Sequence, residues 1–328
     1  MTTGHSQQET AEYQRYRQQT LDGAIADIDQ SGTEQLPDGT AQGDINPSSL
    51  PFTLHITGAD EFSLETCRAQ QPTTLVVTPV QLHQRNIETQ LRERAAPMSS
   101  LLFSGLRGIA EALLDAVGES VTAADRVDRL LYVARILAES DKRVYDHLGA
   151  VIGEPLAEHA DAVERARGEL ELVTGYHPQR MQRLAEAVRS DAEMAGQPAA
   201  TETLDLLAGV SHLHEELRAC LTADAGGGST APTLRVASET ALLAHATRRL
   251  AATPEAWSEA FATIDRVVVA GMSMLTAPLE DFLRVVATRT DVDVHLHLRA
   301  ASGPVLASQL TPMAPIESPG LQEVFSWR

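Results

Sequence analysis

The residues that could do chemistry fall in a few short constellations. Asp293, His295 and His297 alternate along DVDVHLHL, so on a strand the two imidazoles share one face, a pairing that suits zinc. His212 and His214, near Cys220, lie in a helical stretch, where two residues of separation turn them about 200° apart and bar a shared metal. The four-ligand spacing of a zinc site is missing from both, so no metal ligand is assigned. Cys67 and Cys220 are the only cysteines, which excludes a disulfide scaffold and a Cys-rich zinc module; Cys67 reads as a packed thiol. There is no GxSxG nucleophile elbow. Gly226–Gly228 precede Ser-Thr-Ala-Pro and open no helix, so they read as a linker and not as a dinucleotide fingerprint. A P-loop needs a lysine for the β/γ-phosphates and a following Ser or Thr for Mg²⁺. The only lysine, Lys142, sits in SDKRV on a helical stretch. The chain is therefore expected not to be an enzyme and to bind no cofactor.

The elements that would carry these residues follow from hydrophobic period. Residues 1–49 are polar and poor in large apolar side chains, too little to offset ordering entropy, and are expected to be a disordered tail. LPFTLHIT (50–57), TTLVVT (73–78) and RVVVA (266–270) read as strands, the last two apolar throughout, as strands buried on both faces should be. Leu106, Ile109, Leu113, Leu114 and Val117 form one helical stripe that Gly118 stops, and Thr122–Asp125 reads as a capping-box variant opening the next helix. Further helices are expected near 81–94, 155–173, 178–195, 200–221, 238–251 and 277–289. Strand, helix, strand spacing implies a parallel sheet with right-handed crossovers. The expected architecture is an α/β sheet domain from 50–100 and 261–300, a helical insertion at 101–260 and a C-terminal tail at 301–328.

Several segments resemble AddB-type subunits of the two-subunit helicase–nucleases of break repair. Leu75-Val-Val-Thr-Pro79, followed by a helix with Leu82, Arg85 and Leu91, is similar to their "vvPTrr…l…L" segment. Ser100–Leu106 with Ile109, Leu113 and Leu114 resembles "lltf..la..ll". Val267–Thr276 resembles "vfvDGFt.lt", the counterpart of the Walker B strand. The resemblance implies a degenerate P-loop, RecA-like parallel sheet with a large all-helical insertion, and a helicase or nuclease subunit, with DNA, as partners. It singles out Thr78, and with it Arg85, as nucleic-acid-binding. The departures are specific: Asp60 and Glu61 stand where a phosphate loop would lie (57–63), and Ala270-Gly-Met272 replaces the metal-binding carboxylate. A nuclease domain finds no room before Arg328. The resemblance thus implies a shortened, catalytically dead relative; an interaction module without a DNA role is the alternative.

Composition adds a solvent condition. The net charge is −19, from 45 acidic against 26 basic residues, and the basic ones are arginine but for Lys142. GC-biased codons explain missing lysines but not the acidic excess; hydrated carboxylates at high salt explain both. The N-terminus lacks the basic start and apolar run of a signal peptide, and no stretch approaches the roughly 18 apolar residues of a membrane span. A cytoplasmic protein of a halophile, with no membrane partner, is expected. Its thermal midpoint should rise steeply between about 0.1 and 2 M KCl, a span in which the Debye length shrinks several-fold. A flat profile in that titration would leave codon bias as the better account.

Overall fold

The computed structural model describes residues 50–57, 64–139, 142–190, 198–225, 234–272, 274–299, 303–310, 316–323, 325 and 327. The segment read as a polar tail (1–49) lies outside these residues. Five parallel strands form the main sheet in the order β1 (Thr53–Thr57), β7 (Asp293–Arg299), β6 (Arg266–Met272), β2 (Thr74–Val77), β3 (Leu101–Ser104). β2 and β6 are direct neighbours, with Val76 opposite Val268, although more than half the chain lies between them. That is the expected α/β parallel sheet.

A parallel sheet has to be covered on both faces. On one face Leu75, Val77, Val267, Val269, Val294, Leu296 and Leu298 are buried under a large core. The cover comes from α2 (Leu106–Ala116), α8 (Glu239–Ala252), α9 (Glu255–Ala260) and α10 (Ala277–Arg289). α2 uses the predicted stripe, with Ile109, Leu113 and Leu114 buried, and Gly118 at φ +73° ends it in the left-handed region. Among the described residues the other face carries one helix, α1 (Gln81–Glu93), whose Ile87 and Leu91 lie on Val76, Val268 and Ala270.

Register shows where that cover stops. One cross-strand row runs Phe103, Val76, Val268, His295, Thr53, passing from apolar to polar as it leaves α1. The next holds Ala270, His297 and His55. Among the described residues, the chain after β1 (64–73) is extended and forms no helix over β1 and β7.

The helical insertion is shorter than 101–260. β3 belongs to the sheet, and α2, α8 and α9 cover it. The chain leaves through β4 (Val121–Ala123) and returns through β5 (Leu234–Val236), which pair in parallel. Between them lie α3 (Arg126–Glu139), α4 (Asp146–Ile152), α5 (Ala160–Thr174), α6 (Pro178–Ser190) and α7 (Pro198–Ala225). Thr122 is in β4 and not in a capping box; Asp125 caps α3 alone, accepting from the Asp128 amide at 2.8 Å. The lobe has its own core, built on Val133, Leu148, Val163, Met181, Leu213, Leu217 and Leu221. The stretch read as a C-terminal tail contains α11 (Gly303–Leu310) and a strap, 316–327, whose Trp327 is buried in the lobe core. Trp327 Nε1 donates to Ser211 Oγ at 3.1 Å.

Val268 lies between α1 and the sheet at 4% exposure. Val268→Asp should therefore destabilise the protein by several kcal/mol, on the order of a buried, unpaired carboxylate. Thr53→Asp, at an exposed position on the edge strand, should be nearly silent in the same denaturation series. Equal effects would mean that α1 does not seal this face.

Candidate nucleic-acid interface

All five strands end on one edge of the sheet, and in open α/β sheets ligands bind at that carboxyl edge. β2 ends at Thr78, where Pro79 breaks the ladder and turns the chain into α1. Thr78 is buried, and its hydroxyl is turned toward the Val80 carbonyl at 3.4 Å. Arg85 is exposed on the first turns of α1. The two residues singled out in the sequence thus sit on either side of the β2–α1 junction, Thr78 buried at the strand end and Arg85 exposed on the helix.

Between them is His83, which sequence reasoning missed. Arg299, at the end of β7, donates to His83 Nε2 at 2.8 Å, so the imidazole carries its proton on Nδ1. Burial, then the Arg299 charge, lowers the His83 pKa and keeps the ring neutral. Nδ1 is buried without a partner and faces Gly271, where an added Cβ would come within 2.8 Å of it. Gly271 also has φ +74° and lies at the bulge where β6 shifts register against β7. Glycine is required there twice over, for conformation and for space.

This edge is poor in the groups that nucleotide hydrolysis uses. β6 delivers Ala270, buried under α1, then Gly271 and Met272. The carboxylates that follow, at the start of α10, are already engaged: Arg284 donates to Glu280 at 2.8 Å, and Arg180 grips Asp281 with two bonds of 2.7 and 2.9 Å. Of the stretch where the resemblance would place a phosphate loop (57–63), residues 58–63, including Asp60 and Glu61, lie outside the described residues. The residues that follow directly, 64–73, open no helix whose N-terminus could hold a phosphate.

The sequence matches the family model of the halobacterial UvrD-like protein over residues 40–326. The chain belongs to that family. No curated protein matches it at a significant level. The relationship is helicase-like, and in this UvrD-like chain it embraces both the sheet and the helical lobe.

The remaining candidate residues are distributed as follows. His212 and His214 diverge on α7: His212 lies 3.3 Å from Glu216 at the surface, while His214 is buried and stacked on Tyr176 at 3.6 Å. Arg167 donates to His214 Nδ1 at 3.1 Å and pairs with Glu164 and Glu171, a polar core inside the lobe that the sequence did not signal. His295 and His297 do share a face, and β1 adds His55 to them. His55 Nε2 is 3.0 Å from His295 Nδ1, and its ring stacks on His297 at 4.3 Å. Among the described residues no three His, Cys, Asp or Glu side chains are arranged to hold a metal. A signal for His55 existed in LPFTLHIT, but its registration against β7 is set by the sheet alone.

Burial, then the His55 and His295 charges, pull the His297 pKa down to about 4, and burial followed by Arg266 lowers His295. The unfolded chain takes up these protons near pH 6.5, so the contribution is fully present above that pH and is lost as pH falls toward 4. Between pH 7 and 5 His297 should cost roughly 1 kcal/mol of stability, a figure discounted because the ring is part-exposed. His297→Phe keeps the stacking without the titration. It should flatten the pH dependence of thermal melts in that window, and unchanged curves would show that the ladder does not titrate with unfolding.

Proposed function

We propose that this UvrD-like protein is a non-catalytic, AddB-like helicase relative that scaffolds a helicase or nuclease subunit in DNA break repair or recombination. The observation that carries the reading is the end of β6. A helicase-related sheet delivers Ala270, Gly271 and Met272 where its resemblance calls for a metal-binding carboxylate. Without that carboxylate, and without a P-loop lysine, Mg²⁺ and the γ-phosphate have no obvious holder. Arg85 and Arg299 supply positive charge along this edge of an otherwise acidic chain, and Arg85 is the group best exposed to meet a DNA phosphate.

A second reading, an interaction module with no DNA role, draws on the same edge. Val80 (52% exposed), Leu82 (63%) and Met274 (54%) follow β2 and β6 there and leave apolar surface open to a protein partner.

The purified protein should neither hydrolyse ATP nor bind it tightly; Mg²⁺-dependent turnover in a preparation free of contaminating ATPases would overturn the reading. Arg85→Glu should weaken single-stranded DNA binding several-fold at low salt while leaving the thermal melt unchanged. Purification at high salt should retain a helicase or nuclease subunit. Equal DNA affinity in the two proteins, together with a partner of neither kind, would favour the interaction module.

A further inference from the structure

We infer that the protein holds one small inorganic anion in a small cavity where the helical lobe, α8 and the C-terminal strap meet. The cavity encloses about 80 Å³. That is room for a halide with a water, or for one tetrahedral oxyanion, since a water takes about 30 Å³ in the liquid. Arg218 and Thr222 of α7, Arg235 of β5, His245 and Arg248 of α8, and Gln322 of the strap line it.

The argument is one of charge and donor count. Arg235 is paired with Asp128. Among the described residues, Arg218 and Arg248 have no carboxylate at ion-pair distance; their bonds go to the Gln322 carbonyl (2.9 Å) and to His245 Nδ1 (2.5 Å). Because arginine can only donate, His245 Nδ1 accepts, and its Nε2–H donates to Glu119 at 2.7 Å. The ring is therefore neutral, and the Glu119 carboxylate is engaged by His245 and Arg249. The Thr222 hydroxyl is turned to the Arg218 carbonyl at 2.8 Å, and the side-chain nitrogen of Gln322 is buried without a partner. Donors converge on the cavity, and among the described residues the carboxylates that act on these arginines, Glu215 on Arg218 and Glu119 on Arg248, do so without pairing with either.

The two guanidiniums also feel each other. Burial, then the positive charges of Arg249 and Arg218, lowers the Arg248 pKa, and burial lowers that of Arg218. In a chain with 45 acidic residues, two half-buried arginines with no ion-paired carboxylate among the described residues carry both a desolvation and a repulsion cost, which Glu215 and Glu119 offset only in part. An anion between them offsets both. It would also tie the strap to its two neighbours, since Gly320 (φ +79°) is pressed against the Ala244 carbonyl on α8 and leaves no room for a Cβ.

General screening depends on ionic strength alone, whereas a site depends on which anion is present. Thermal melts at constant potassium, exchanging glutamate (too large for the cavity) for chloride, should raise the wild-type midpoint relative to Arg248→Gln and Arg218→Gln. The expected gap is roughly 5 °C at about a hundred times the dissociation constant. In glutamate alone Arg248→Gln should be at least as stable as the wild type, because the repulsion is relieved; a merely structural arginine would destabilise in every salt. The same chloride–glutamate difference in all three proteins would overturn the inference. Bromide-soaked crystals of the wild type provide a test that does not depend on the variants folding. An anomalous peak between Arg218 and Arg248 supports the site, and a cavity holding only water at molar bromide overturns it.

Discussion

The requirement that a parallel sheet be buried on both faces governs the rest of this molecule. Because each strand needs a crossover to the next, every connection contributes a layer or an excursion, and the largest excursion becomes the helical lobe. One face is sealed by α2, α8, α9, α10 and α11 around a core running from Phe52 to Leu310. The other, among the described residues, is sealed by a helix only as far as α1 reaches, over β3, β2 and β6. On β7 and β1, beyond that cover, the same register rows change from Val268 and Ala270 to His295, His297 and His55. The histidine ladder is thus a consequence of incomplete cover: imidazoles are apolar enough to stack and polar enough to face water.

The lobe is anchored to the sheet by polar contacts and not by a shared apolar core. Ser238 caps α8 by accepting from the Ala241 amide and donates to Glu171 of α5, so one hydroxyl joins the two parts. The bidentate Arg180–Asp281 pair does the same between α6 and α10. Gly175, left-handed at the end of α5, lets Pro278 approach. Desolvation offsets much of what buried ion pairs gain, so their effect here is to hold one orientation of lobe on sheet; losing one partner would cost far more than the pair contributes.

Near-exclusive use of arginine has a structural as well as a solvent consequence. Several guanidiniums reach backbone carbonyls at element ends: Arg129 to Ala124, Arg189 to Trp327, Arg218 to Gln322, Arg284 to Leu310 and Arg289 to Ala251. A planar fork with five donors can serve a carbonyl and a carboxylate together, as Arg129 does with Ala124 and Glu164, which the single ammonium of lysine does less well. Arg189 and Arg218 in this way tie the strap to the lobe.

Strand type, helix stripes and stop signals were written locally, and so was the lack of a lysine or a carboxylate in the motif positions. Two apolar, β-branched runs without hairpin partners pointed to one parallel sheet, and in it Val76 lies opposite Val268. The alternation in β7 likewise declared which of its faces is polar. Tertiary structure alone decided what joins across distance: His55 with His295 and His297, His83 with Arg299 and Gly271, Arg180 with Asp281, and the arginines around Gln322. In each of these sets at least one partner comes from another element, often more than a hundred residues away. The physical reason is that hydrophobic period reports which face of an element is buried but not against what. Register, crossover and the docking of the lobe supply the partner, and a polar group's chemistry is defined by that partner.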